Sequence, residues 1–426
     1  MRSSRGLTPG LIVVLGSLMT VNPLAAHLYL PALGALVADL HTTVAGGQLV
    51  YTGFLIGVAG GQLIVGMLSD VVGRRPVLLC GLVLVTLASL LAAFAPTIGT
   101  LVATRVAQGL GAAAVVVVAR AVVADTATGR TAARAYSILM GLLAAGPFAA
   151  PLLGTLAFTV GGWRAGFVLL TVLCTAGLVV AWALVPETLA PDRRSAARIG
   201  TMVGNYGRLL RDPAYIGNAL AMSFGYAALA VHSAASSFVA QDILHTGPWG
   251  YAAIYTGYAA AVLVGSMGNA FFAGRVGAAR MMAVAQSIAL AATLTLLAFT
   301  LWGPFTIASF LPTVLVGGAA ASAILSNASA LTLARAGFAA ASGAALMGSV
   351  QYAVAAAVVP VGGILGSGTA APMAAGMVGC LVLSAGCAWF GHRAARRRSS
   401  GGPDAAGAIS RRGDARNRNR PAIPGG

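Results

Sequence analysis

The chain has no lysine, only nine acidic residues in 426, and charged side chains of either sign at 8% of positions. A soluble domain carries roughly 25% charged residues, so a globular fold surrounded by water is excluded. The carboxylates fall outside every long apolar run, and the four cysteines (Cys80, Cys174, Cys380 and Cys387) sit singly inside such runs. No cluster is therefore offered for a metal, a structural disulfide or the acid/base pair of an enzyme. The cysteines read as small apolar packing residues. Rings of charge that would line a channel are missing as well. No enzyme activity and no cofactor are expected.

What is present is apolar surface, with 58% of the residues hydrophobic. A helix that spans a bilayer needs ~20 mainly apolar residues at ~1.5 Å rise each. Twelve stretches qualify, near 11–31, 44–68, 77–95, 99–119, 136–159, 165–185, 214–239, 251–273, 282–302, 304–326, 343–366 and 370–391. None shows the short alternating segments of a membrane β-barrel. Residues 1–26 have the outline of a signal peptide, with Arg2 and Arg5 before an apolar run and Ala25-Ala26 after it. Eleven further spans follow, and an even number requires this one as a retained first helix. The expected fold is an all-α polytopic membrane protein of twelve transmembrane helices in two six-helix halves.

The formal charge of +17 suggests nucleic acid only until the arginines are placed. Of 26 arginines, 24 fall on one side of the spans, Arg164 falls on the other, and Arg105 lies within a span. This is the positive-inside asymmetry of a membrane protein. It puts both termini in the cytoplasm of a cell-membrane protein and leaves no role for nucleic acid. The expected partner is the lipid bilayer, with the chain a monomer.

Composition divides the chain further. Residues 1–185 form an N-terminal six-helix half, 186–213 a cytoplasmic linker with Glu187, Asp192, Asp212 and five arginines, and 214–391 a C-terminal half. Residues 392–426, rich in Arg, Gly, Pro, Asp and Asn, read as a disordered basic tail. Repetition supports the division. Val72-Gly73-Arg74-Arg75 has an echo in Val276-Gly277-Ala278-Ala279-Arg280 at an offset of 204, and His27 and His232 stand 205 apart. Transporters are commonly built from such paired units.

Three segments carry chemistry. In Gly66-Met67-Leu68-Ser69-Asp70-Val71-Val72-Gly73-Arg74-Arg75-Pro76, after span two, Gly66 and Gly73 permit a tight turn and Arg74 and Arg75 anchor the interface. In span four, Arg105 is the one charged side chain within the expected spans, followed by Gln108, Gly109 and Gly111. Burying a charge there costs at least ~2.5 kcal/mol, so Arg105 must face the bundle interior. Span five carries Gly141, Gly146, Pro147, Pro151 and Gly154, a combination of helix kinking and close packing.

The first segment resembles the signature loop of the major facilitator superfamily, although Val71 stands where members commonly have a basic residue. Span five resembles the Gly-Pro motif of that superfamily's antiporters. Together with Tyr29-Leu30-Pro31-Ala32-Leu33, Gly162-Trp163-Arg164, Pro186-Glu187-Thr188 and Gly343 to Gln351, the whole of 11–391 is similar to drug/proton antiporters of the bicyclomycin/chloramphenicol-resistance type. The resemblance implies two bundles around a cavity that opens alternately to either side, and expulsion of small drug-like molecules, with a small-molecule substrate and protons as partners. Uptake or efflux of a small metabolite is the alternative on the same fold. In the signature loop, Asp70 is expected to act as an anion at the positive N-terminus of a helix in the other half, the one starting near Ala340.

One departure matters. Members commonly place an aspartate two residues before the tyrosine of Tyr-Leu-Pro, and here that place holds His27. No carboxylate remains inside a span to carry a coupling proton. Histidine, with an unperturbed pKa of about 6.5, can bind and release protons across the physiological range. His27 is thus the expected proton carrier, and His232, its counterpart in the repeat, is expected to face it and to assist or to bind substrate.

Overall fold

The computed structural model describes residues 8–191, 194, 197–364 and 368–400, and among these the chain is helical without strands. A backbone in hydrocarbon has to satisfy its polar groups internally, which a helix does within one segment. The first crossing is broken into α1 (Pro9–Met19), α2 (Val21–His27), a 3-10 turn at Leu30–Ala32 and α3 (Leu33–Asp39). Pro31 has no N–H to offer the His27 carbonyl, so the α-helical ladder stops there. Three helices follow: α4 (Val44–Val72), α5 (Arg74–Ala93) and α6 (Ile98–Thr126).

Helix α7 (Gly129–Leu184) has 56 residues. At helical rise this is about 84 Å, far beyond the ~30 Å of a hydrocarbon core. It divides where Gly162 takes φ +69°. The two limbs run in opposite senses along the first crossing: Gly146 packs on Pro23, Gly154 and Gly166 both meet Leu28, and Gly177 returns to Leu18. The helix therefore supplies spans five and six.

The linker carries α8 (Ala197–Leu209), after which the second half begins. That half runs through α9 (Pro213–Phe238), which ends in a π-helical turn at Val239–Ile243, then α10 (Gly247–Val276), α11 (Ala278–Trp302), α12 (Ile307–Arg335), α13 (Ala340–Ile364) and α14 (Ala371–Ser400). Among the described residues eleven helical stretches are long and apolar enough to cross a membrane, and the division of α7 brings the crossings to twelve.

The repeat is visible in backbone conformation. Gly73 (φ +118°) and Gly277 (φ +88°) each separate two helices. His41 and His245, also 204 residues apart, are the two non-glycine residues with positive φ among those described, at +48° and +53°. Thr97 and Thr306 each open a helix with a reciprocal capping box. The halves meet along α4 with α13 and α7 with α10. The Ser349 hydroxyl donates to the Ala59 carbonyl at 2.8 Å, and Gln241 Nε2 donates to the Pro31 carbonyl at 3.0 Å.

Three expected boundaries move. Helix α6 runs on to Thr126, so Arg120 and Asp125 lie inside a helix, and α7 begins at Gly129 rather than near 136. Charges end an apolar run, but they do not end a helix that continues into water. For the same reason α14 extends through Ser400, past the expected limit at 391. The tail from 401 onward, like Asp192 and Arg193 of the linker, lies outside the described residues.

Candidate functional site

At the end of the bundle that carries Arg74 and Arg75, the α4–α5 turn is held by an ionic cluster. Arg74 pairs with Asp70 at 2.6 Å and with Asp125 of α6 at 2.8 Å, and it donates to Ser69 Oγ at 2.7 Å. Asp70 thus answers Arg74 of its own turn. The anion set on a helix N-terminus here is Glu187, whose oxygens accept from the backbone N–H of Arg74 (3.0 Å) and Arg75 (3.3 Å) at the start of α5. Glu187 also pairs with Arg194 at 3.4 Å, and Arg75 reaches the Trp182 carbonyl at 2.6 Å. The turn between spans two and three is thereby tied to the exit of span six.

Deeper in the first half, Arg105 is completely buried. Its Nη1 donates to the Ala25 carbonyl (2.7 Å) and to Gln108 Oε1 (2.5 Å), and its Nε donates to the Val50 carbonyl (3.2 Å). Because α2 stops at His27, the Ala25 carbonyl is outside the helical ladder and free to accept. Gln108 passes the chain on to Ser89 Oγ at 2.7 Å. The guanidinium also lies 4.7 Å from the ring centroids of both Tyr29 and Phe54, a desolvated cation–π arrangement. Arg105 and Gln108 thus join four helices, α2, α4, α5 and α6.

Along α7 the backbone stays helical through Pro147 and Pro151; the break comes at Gly161-Gly162. Gly146 and Gly154 serve close approach: a Cβ at the first would strike the Pro23 ring, and one at the second the Leu28 carbonyl. Span five is therefore pressed against the broken first span, whose irregular backbone supplies His27.

His27 and His232 come from opposite halves and share a neighbouring ring, Tyr255. The His27 centroid is 5.6 Å from that of Tyr255 and 6.0 Å from Tyr51, while His232 lies 6.3 Å from Tyr255 and 4.1 Å from Tyr258. His27 Nδ1 is 3.0 Å from the Pro23 carbonyl. His232 is fully buried, and neither of its ring nitrogens has a hydrogen-bond partner among the described residues. The Tyr255 hydroxyl shares a 2.8 Å hydrogen bond with Ser233. Tyr226 and Tyr352 stack edge-on at 5.2 Å, with the Tyr51 hydroxyl beside them. The centre where the halves meet is a cluster of tyrosines and two histidines. Every carboxylate among the described residues stands at a helix end or in a connection.

Sequence reasoning missed the tyrosines, Glu187 as a capping anion, and Arg120. The Nε of Arg120 is buried without a hydrogen-bond partner among the described residues, and Tyr352 and Tyr136 lie within its electrostatic reach. Tyr251, Tyr255 and Tyr258 stand at helical spacing on α10, but no local pattern ties them to Tyr51, Tyr226 and Tyr352. An acidic residue following an apolar span was the available sign for Glu187.

Comparison with known proteins agrees with this architecture. The family model of the Major Facilitator Superfamily matches residues 15–360. The chain is 33% identical over 387 residues to YdgK, an MFS-type transporter of Bacillus subtilis (strain 168), covering 89% of this chain and 94% of that one. It is 27% identical over 382 residues to the bicyclomycin resistance protein homolog of Haemophilus influenzae, covering 88% and 94%. Multidrug resistance protein D of Escherichia coli (strain K12) is 36% identical over 202 residues, 46% of this chain and 51% of its own. Among solved structures, a bacterial homolog of the human lysosomal transporter Spinster, inward-facing and occupied, superimposes with a TM-score of 0.71 at 15% identity, over 92% of this chain and 98% of that one.

Proposed function

Because the chain belongs to the major facilitator superfamily, and so is a multi-pass membrane transporter of a small molecule, we propose that it exports a drug-like compound in exchange for protons by alternating access. The observation that carries this reading is the centre: two titratable histidines, one from each half, whose rings lie 5.6 and 6.3 Å from that of Tyr255. A group that binds a proton in one state and releases it in the other belongs where the halves separate and rejoin. His27 is the proton carrier in this reading, and His232, with no partner for either ring nitrogen, assists it or meets the cargo.

Export over uptake is favoured by the glycine and proline pattern of span five and by the antibiotic-resistance names of the relatives. The ionic turn around Asp70, Arg74 and Arg75, which ties span two to the exit of span six within the first half, is assigned as the conformational switch on its resemblance to the superfamily's signature loop. A cluster rich in tyrosine with no carboxylate suits a neutral or zwitterionic cargo and gives a cationic drug no counter-ion. The arginine-rich end is cytoplasmic, with halves 1–185 and 214–391 joined by the linker 186–213, the tail inside, and the protein acting as a monomer in the cell membrane.

A susceptibility panel across antibiotic classes, in cells with and without the protein, identifies the cargo. Purified protein in vesicles should then concentrate that compound when a pH gradient is imposed and stop when a protonophore collapses it. Accumulation indifferent to the protonophore would contradict proton antiport. Reporter fusions at Arg198 and after Arg393 should read cytoplasmic, and those near His245 external.

A further inference from the structure

On the outer face of the second half, α11 and α14 leave between them a groove of about 520 Å³ at its arginine-rich end. Its floor is apolar, with Met282, Ala283, Ala385 and Ala388, and its mouth is basic, with Arg280, His392 and Arg393. Trp389 is 60% exposed beside it, and the Arg393 guanidinium lies 4.4 Å over that indole. Further along the two helices, Val284, Ile288, Val382 and Leu383 are exposed, which marks this face as one that meets hydrocarbon. Neither Arg280 nor Arg393 pairs with any described carboxylate.

The repeat shows what is missing. In the first half the corresponding pair is α5 and the second limb of α7, with Trp182 toward the end of span six as Trp389 is toward the end of span twelve. There the basic residues are answered from within the chain, because Arg75 donates to the Trp182 carbonyl and Glu187 takes the N-terminus of α5 and Arg194. In the second half the residues that follow Trp389 are Phe390, Gly391, His392 and Arg393, so that position holds positive charge and no carboxylate. An apolar groove open to hydrocarbon with two unanswered arginines at the interface has the polarity of one molecule of the bilayer itself. We propose that this groove binds an anionic phospholipid, with an acyl chain along Met282 and Ala385 and the phosphate between Arg280 and Arg393, in the place that Glu187 occupies in the first half. The site stands on the geometry of the groove and does not depend on what the protein carries.

Trp389 is a built-in reporter. The full chain is reconstituted in phosphatidylcholine vesicles containing a minor fraction of phosphatidylglycerol, with bromine on the acyl chains of one lipid or the other. The emission lost in a Trp389→Phe variant isolates this indole. At equal mole fraction, brominated phosphatidylglycerol should quench that component more than brominated phosphatidylcholine. Arg280→Gln and Arg393→Gln should each lower the preference roughly fivefold, the factor expected for one basic residue at an anionic surface. The Arg280→Lys/Arg393→Lys pair should keep most of it. Equal quenching by the two lipids in the unaltered protein would overturn the proposal, as would a preference that survives loss of both arginines.

Discussion

The two halves share a helical plan and differ in what holds them. In the first, a buried arginine and Gln108 together bridge four helices, and a second ionic cluster joins Asp70, Arg74, Asp125, Glu187 and Arg194 at the membrane interface. In the second, the buried polar contacts between helices are neutral. Asn327 Nδ2 donates to Asn269 Oδ1 at 2.5 Å, and Gln286 Nε2 donates to Ser384 Oγ at 3.0 Å. The turn after α10, Val276 to Arg280, contains no acidic residue at all. Hydrogen bonds to charged groups are stronger and shorter than neutral ones. The first half is therefore held more by charge-assisted bonds than the second, whose described ion pair, Asp212 at the start of α9 with Arg335 at the end of α12 (3.0 Å), lies at the helix ends.

The contrast is broken most severely by removing its centre. Arg105→Leu strips donors from Ala25, Val50 and Gln108 together, and bonds to charged groups contribute roughly 1.5–3 kcal/mol each. Thermal unfolding in detergent should show a large loss of stability, with transport abolished. Gln286→Leu in the second half should cost only ~0.6 kcal/mol, the average for polar contacts between membrane helices. Equal losses from the two changes would show that the halves are held alike.

The interfacial cluster gives a smaller and more selective effect. Asp70→Asn barely alters volume and leaves Arg74 its bond to Asp125. Insertion and melting should stay near normal while the transport rate falls roughly 5- to 20-fold, within the range of conformational coupling energies. A normal rate would make Asp70 a bystander. The smallest effect belongs to the opposite end, where Asp39 meets Arg164 at 2.6 Å and Trp163 at 3.0 Å with both charges solvated. Exposed pairs contribute little, and Asp39→Asn should leave melting unchanged.

These differences follow which signals are local in the chain. Spanning helices announce themselves because each needs its own ~20 apolar residues, and Arg105 stands out because a charge inside such a run is rare. Helix ends beyond the apolar run do not show, as with α6 through Arg120 to Thr126, because hydropathy reports the bilayer and the helix continues into water. The broken first span shows in part: Pro31 marks it, yet the use of the freed Ala25 carbonyl by Arg105 joins residues 80 apart. The tyrosine cluster draws on Tyr51, Tyr226, Tyr255 and Tyr352, and only the packing of one half on the other brings them together. That His27 and His232 are counterparts is readable from the repeat, whereas their common neighbour Tyr255 is not.

The most direct test of the account replaces His27 with Gln, which keeps a hydrogen-bonding side chain and removes the titration. In vesicles containing the purified variant, pH-driven accumulation of the identified cargo and its downhill exchange are measured side by side. The account predicts that accumulation against the gradient is lost while downhill exchange persists. A His27→Gln protein that still concentrates its cargo with an unchanged pH dependence would contradict it and place the coupling outside the histidine pair.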